Sequence, residues 1–204
     1  MLKLPLFGCG QRIGLFGGSF NPAHQGHVEV ALFALKCLQL DTVWWLVSPQ
    51  NPLKDPSETD EYEKRLAATK QIAAHPRFVV TDLEKKIASH NTVQTLNSLS
   101  TALKRAHFVW IMGADSFRDL HRWRNWTKIA RLVPMAVLAR PGYAMRGLSG
   151  HAAVRFTKYR LPNERAGQLA MCKPPAWVFI SMPLRKESST AIRLKRIQFV
   201  PSPQ

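Results

Sequence analysis

The chain has 204 residues, 46% of them hydrophobic, which suits one globular domain with a substantial core. Lys and Arg number 29 against 13 Asp and Glu, a formal net charge of +16, so an anionic partner is favoured: a nucleotide, a nucleic acid or an acidic surface. Three cysteines, Cys9, Cys37 and Cys172, without a C-x-x-C pair signal neither a disulfide framework nor a zinc site, and no apolar run is long enough to span a bilayer.

The N-terminus carries one early Lys and a short apolar patch broken by Pro5, a poor signal peptide, so the expected location is the cytoplasm with reduced thiols. Arg12 to Phe16 reads as a short buried strand closed by Gly17 and Gly18. Gly26 to Leu38 follows with Val28, Ala31, Leu32, Leu35 and Leu38 at helical spacing. "TVWWLV", Thr42 to Val47, is a β-branched and aromatic run and predicts a second strand. The stretch from Ser48 to Glu61 is rich in Pro and polar residues and reads as a loop. Tyr62 to Ala74 predicts a helix, Phe78 to Thr81 a strand, and Thr92 to Arg105 a helix with Val93, Leu96, Leu99 and Leu103 on one side. Phe108 to Met112 and Met135 to Ala139 predict two further strands with a helix over Trp123 to Arg131 between them. Residues 144–175 are basic and poorly periodic and read as a long loop or small excursion from a single domain spanning 1–204. Trp177 to Ser181 predicts a last strand, and "SSTAIRLKRI" from Ser188 a capped C-terminal helix.

Strands alternate with helices, and the strands are continuous apolar runs. That pattern predicts an α/β fold, a Rossmann-like doubly wound parallel sheet covered on both faces. In such a sheet, ligands bind beyond the carboxyl ends of the strands, where the strand order reverses. "GLFGGSFNPAHQGH", Gly14 to His27, falls at such an end. Gly17 and Gly18 lack Cβ, so a phosphate can approach their amides, and the helix that follows offers unpaired N–H groups. His24 and His27 are three apart at its first turn and share roughly one face. Taken separately these signals are weak. A Gly pair before a helix is usually a turn, and two histidines make at most half a metal site, with no third ligand nearby. Neither G-K-[ST] nor G-x-G-x-x-G is present.

Together, "GGSFNPAHQGH" resembles the G-G-[ST]-F-[DN]-P-x-H-x-G-H signature of the nucleotidyltransferase superfamily. "WIMGADSFRDLHRWRNW" (Trp110 to Trp126), "SSTAIR" (Ser188 to Arg193), "NTVQTL" (Asn91 to Leu96), "SPQNPLK" (Ser48 to Lys54) and "EKRLA" (Glu63 to Ala67) are similar, in the same order, to segments of bacterial nicotinate mononucleotide adenylyltransferases. The departures are Ser19, Asn21, Leu53 before Lys54, Asn91 before Thr92 and Glu187 before Ser188, which bear on the shape of the acceptor pocket more than on the reaction. The resemblance implies ATP-dependent adenylylation of nicotinate mononucleotide, giving deamido-NAD and pyrophosphate. The alternative within the superfamily is phosphopantetheine adenylyltransferase, which usually has a shorter chain and T-x-G-H in place of H-x-G-H. Outside it, the charge alone would allow a nucleic-acid binder, but no recognition helix, RNP or zinc-finger pattern is present. A degenerate binding module is the third reading, opposed by the intact His24, His27 and Arg193.

The resemblance also implies roles. His24, His27 and Arg193 are the catalytic candidates; Gly17, Gly18, Ser19, Phe20, Gly113, Asp115, Ser188, Ser189 and Thr190 join them in binding ATP. Asp115 would take the ribose hydroxyls, though it would equally cap a short helix. Ser188, Ser189, Thr190 and Arg193 would clamp the leaving pyrophosphate at a helix start. Lys54, Thr92 and Trp123 are the acceptor-binding candidates, with Trp123 stacking on the pyridine; read unaided, Trp123 and Trp126 would both be core. Mg²⁺ is expected to arrive with ATP, since no carboxylate cluster signals a site of its own. No nucleic-acid or membrane partner is expected, and homo-oligomerisation is left open.

Overall fold

In the computed structural model, which describes residues 4–49, 59–89, 91–139 and 148–182, seven strands form one sheet in the order β3-β2-β1-β4-β5-β7-β6. They are β1 (Arg12–Gly18), β2 (Thr42–Val47), β3 (Phe78–Thr81), β4 (His107–Gly113), β5 (Met135–Ala139), β6 (Arg160–Leu161) and β7 (Trp177–Ser181), and every neighbouring pair is parallel. Both faces of the sheet are buried, and consecutive residues go to opposite cores, which is why the strands read as unbroken apolar runs. Ile13, Leu15, Trp44, Leu46, Phe108, Trp110, Met112, Trp177 and Phe179 enter one core. Phe16, Val43, Trp45, Val47, Val109, Ile111, Val178 and Ile180 enter the other. Gly14, in the central strand, leaves room that its neighbours use: a Cβ there would lie 2.5 Å from Ile111 Cδ1 and 2.8 Å from Leu40 Cδ1.

The helices are α1 (Gln25–Cys37), α2 (Tyr62–Ile72), α3 (Leu83–Lys86), α4 (Thr92–Ser98), α5 (Ser100–Leu103), α6 (Ala114–Arg118), α7 (Trp126–Leu132) and α8 (His151–Arg155). α1 covers the second core with Val28, Val30, Ala31, Ala34 and Leu35, while Leu32, read from its spacing as inward, is exposed. α4 packs against α7 over the first core, through residues that include Val93, Leu96 and Ile129.

Four elements differ from expectation. β1 runs through both glycines, because its ladder with β2 continues to the Gly18–Val47 pair. The helix predicted over Thr92 to Arg105 divides at Leu99. The helix predicted from Trp123 starts at Trp126: Asn125, in the left-handed region at φ 55°, interrupts any helix before it, and Trp123 is extended. Residues 148–175 are built rather than looped, with α8, a 3₁₀ turn at Thr157–Tyr159, edge strand β6 and a 3₁₀ segment at Asn163–Met171. Its buried contacts are largely Ala152, Ala153, Ala166 and Ala170, which give little hydropathy contrast, and 3₁₀ turns do not follow the 3.6-residue period. The C-terminal helix predicted from Ser188 lies outside the described residues.

Candidate active site

The connection after β1 leads to β2 and β3 on one side, and β4 and β5 lie on the other, so the reversal point sits between β1 and β4. Register aligns Phe16 with Ile111, which brings Gly17 and Gly18 to the same edge as Gly113. Asp115 follows Gly113 in the first turn of α6 and is exposed. Among the described residues, a Cβ added at Gly113 would meet nothing within 4 Å, so they leave open space over the end of β4.

Packing also bears on Gly17 and Gly18. A Cβ on Gly17 would come within 2.9 Å of the Trp110 ring, and one on Gly18 within 3.1 Å of the Phe20 ring. Phe20 has φ 44°, a left-handed backbone that a bulky residue adopts only under compulsion, at a cost of about 1–3 kcal/mol. The compulsion is visible. Its ring, 2% exposed, lies 5.4 Å from Phe16, 5.1 Å from Trp45 and 5.1 Å from His27. The carbonyl of the preceding Ser19 is gripped by Arg65 at 2.6 Å.

His24 is the N-cap of α1 and His27 the third residue of its first turn; their ring centroids lie 3.8 Å apart. His24 is buried and His27 half-buried. His27 Nδ1 accepts the backbone N–H of His24 at 3.2 Å. An Nδ1 that accepts is unprotonated, so in the neutral ring the proton sits on Nε2, a donor suited to a phosphate oxygen. The sequence therefore places two imidazoles at a helix N-terminus, and the local fold orients one of them.

Arg65 and Glu84 were not among the candidates. Arg65, on the inner face of α2, is 2% exposed. Its guanidinium donates to four backbone carbonyls: Ser19 at 2.6 Å, Ser48 at 2.8 Å, Pro49 at 2.7 Å and Asp60 at 2.9 Å. Burial pushes its pKa below the ordinary arginine value, and the carbonyls offset the lost hydration. Asn21 adds a second tie, its Oδ1 accepting the N–H of Asp60 at 3.3 Å. The segment after β1 and the segment flanking the described ends of the 48–61 loop are thus joined. The available signal was an Arg at position 65 beside Leu66 and four before Thr69, on the face of a predicted helix that turns inward.

Glu84, in α3, is buried and accepts a hydrogen bond from Thr95 Oγ1 at 3.0 Å and another from the Ser48 side chain. Desolvation raises its pKa to about 7 against these two stabilising bonds. Thr92 begins α4 one turn before Thr95, and Asn91 caps that helix by accepting the Gln94 N–H at 3.1 Å. Trp123 and Trp126 are both partly buried against the core that α4 covers. Lys54, Ser188, Ser189, Thr190 and Arg193 lie outside the described residues. Among the described residues, no three His, Cys, Asp or Glu side chains converge to hold a metal ion. No helix there is long and apolar enough to cross a membrane.

A family profile described as cytidylyltransferase-like matches residues 15–195. The chain belongs to the cytidylyltransferase-like family. Within it, the chain is 45% identical to a protein of Roseobacter denitrificans, over 92% of this chain and 94% of that one. It is 48% identical to a protein of a Caulobacter species, over 89% of this chain and 96% of that one. Both carry the name "Probable nicotinate-nucleotide adenylyltransferase". Among solved structures, the Plasmodium falciparum nicotinic acid mononucleotide adenylyltransferase complexed with NaAD superposes with a TM-score of 0.64. It covers 90% of this chain and 83% of that one at 16% identity, a likeness of fold.

Proposed function

We propose that this family member transfers the adenylyl group of MgATP to nicotinate mononucleotide, yielding deamido-NAD and pyrophosphate, a step of NAD biosynthesis in the cytoplasm. The observation that carries the reading is the H-x-G-H pair at the start of α1, on the reversal point of the sheet, in a chain 45–48% identical to proteins named for this activity.

A phosphate oxygen of the acceptor attacks the α-phosphorus of ATP, a new P–O bond forms, and the bond to the β-phosphate oxygen breaks as pyrophosphate leaves. The attacking oxygen is already anionic, so the protein needs little general base and must instead align the reactants and neutralise charge. His27 donates from Nε2 and His24 stands beside it at the helix N-terminus; both steady the negative charge on the phosphates. The amides of Gly17, Gly18, Ser19 and Phe20 line the phosphate side, held in shape by Trp110, Trp45 and Arg65. Gly113 leaves the end of β4 open to the nucleoside, and Asp115 accepts from its ribose hydroxyls. Thr92 receives the nicotinate carboxylate at the start of α4, Trp123 stacks on the pyridine, and Lys54 holds the acceptor phosphate. Ser188, Ser189, Thr190 and Arg193 hold the departing pyrophosphate. Mg²⁺ arrives on the phosphates of ATP in this reading, as a hard cation that keeps oxygen ligands from its nucleotide.

The test is pyrophosphate release from MgATP with nicotinate mononucleotide, nicotinamide mononucleotide and phosphopantetheine supplied separately. Turnover with nicotinate mononucleotide and none with phosphopantetheine is expected. Turnover confined to phosphopantetheine assigns the runner-up activity.

A further inference from the structure

Glu84 occupies a node that the reaction itself does not use. It lies beyond the ends of β2 and β3 and touches an element on each side. Thr95 Oγ1, fully buried in α4, donates to its carboxylate at 3.0 Å, and the side chain of Ser48, the first residue after β2, donates as well. The network continues from both partners. Ser89 Oγ stands 2.8 Å from Thr95 Oγ1 and 2.9 Å from the carbonyl of Asn91, the cap of α4. The carbonyl of Ser48 accepts from Arg65 Nη1, the same nitrogen that holds Ser19 at the end of the β1 turn. A continuous set of polar contacts, buried at Arg65, Glu84 and Thr95 and half-buried elsewhere, therefore runs from the turn before His24, through Arg65, Ser48 and Glu84, to the first turn of α4.

A buried carboxylate is costly, and a hydrophobic residue would fill the same space with less penalty. Both hydrogen bonds to Glu84 tie separate elements to one fixed point. α4 is short, seven residues, and its first turn is secured on the described side by Asn91, Ser89 and the Thr95–Glu84 contact. We infer that Glu84 is a positioning residue for the acceptor: through Thr95 and Ser48 it fixes the first turn of α4, and with it the amide and hydroxyl of Thr92, against the end of β2. This rests on the reading that Thr92 receives the nicotinate carboxylate. Glu84 itself touches no reactant.

The experiment measures kcat and KM for each substrate in the wild-type enzyme, Glu84→Ala and Glu84→Gln, with thermal unfolding of each. Glu84→Ala should raise KM for nicotinate mononucleotide about tenfold, while KM for ATP stays within about twofold, as displacement of one contact element predicts. Glu84→Gln keeps an oxygen acceptor for Thr95 and should bring the acceptor KM back to near the wild-type value. A residue that only stabilises the fold would lower the melting temperature and move both KM values together or neither, and that result overturns the inference. If Glu84→Ala does not fold, Thr95→Val removes the α4 half of the contact at nearly constant volume and must show the same split; an unchanged acceptor KM in folded Thr95→Val overturns the inference. Wild-type turnover separates the two claims. Without nicotinate mononucleotide turnover in the wild type, the proposed function fails; with it and no split in the variants, only the role of Glu84 fails.

Discussion

The two sides of the sheet's reversal point are built by different physics. The turn after β1 is held chiefly by rings: Phe16, Phe20, Trp45 and the two imidazoles pack against one another, while Trp110 crowds a Cβ on Gly17 and Phe20 one on Gly18. The region beyond β2 and β3 is held by buried hydrogen bonds to ionisable groups, Arg65 and Glu84. Packing fixes position through volume. Polar nodes fix position through donors and acceptors that must all be present, and they respond to charge. In the proposed function the first side carries the phosphate chemistry and the second the ties around the acceptor, and substitutions should separate them.

The largest effect should come where the two sides meet. Arg65→Met removes the donor from four carbonyls at once and leaves an apolar chain among them. Each stranded buried acceptor costs about 1–3 kcal/mol, with some recovered by water, so urea unfolding should show a loss of about 4 kcal/mol. Arg65→Lys supplies a single ammonium and should recover only part of that. A loss below about 1 kcal/mol in Arg65→Met would show that the carbonyls are satisfied without the clamp.

His27→Ala breaks the comparison from the other side. It should leave the fold in place, because His27 is only half-buried, and lower kcat by roughly 10²–10³, the usual consequence of losing one preorganised donor. Steady-state kinetics beside a far-UV spectrum decides it. Near-wild-type turnover in a folded variant removes His27 from the chemistry.

Much of this was legible in the sequence, and the parts that were not share a cause. The strands showed because both faces are buried, so hydropathy alone marks "TVWWLV" and "FVWIM". The histidines showed because their spacing sits in a dense motif. Glu84 gave no signal: "LEKK" is a charged tetrapeptide whose one inward carboxylate is chosen by tertiary packing, and its partners Ser48 and Thr95 are distant in sequence. Arg65 gave a faint one, since a buried arginine looks like any helical arginine until the carbonyls it serves are placed. Gly17 and Gly18 have a second reason for lacking a side chain, which only the structure shows. Closeness to a phosphate was the sequence argument; closeness to Trp110 and Phe20 is the structural one.

Gly14→Ala isolates packing from chemistry. The added methyl must displace Ile111 and Leu40, both fully buried, and overpacking of this kind costs about 1–3 kcal/mol. Thermal unfolding should register it, and kcat per folded molecule should not change, because Gly14 lies in mid-strand away from the ligand edge. A fall in kcat comparable to that of His27→Ala would mean that the ring-packed turn transmits strain along β1 to the imidazoles.

The smallest effect is a pH dependence of stability that originates on the polar side. The Glu84 carboxyl is raised by burial to about 7 from the 4.5 of an exposed glutamate. Below pH 4.5 the folded and unfolded chains both hold the proton, and this residue's contribution to stability is fully present. Between 4.5 and about 7 the unfolded chain gives up its proton first while the folded one retains it, so stability falls as pH rises. Above about 7 both are ionised and the loss is complete. Glu84→Gln cannot titrate. Its melting temperature, compared with the wild type in steps from pH 4.5 to 8, should gain on the wild type steadily up to about 7 and then run parallel. A constant difference across the range would mean that the Thr95 and Ser48 hydrogen bonds outweigh desolvation and keep Glu84 ionised throughout, so that the node is a buried anion held by its two donors.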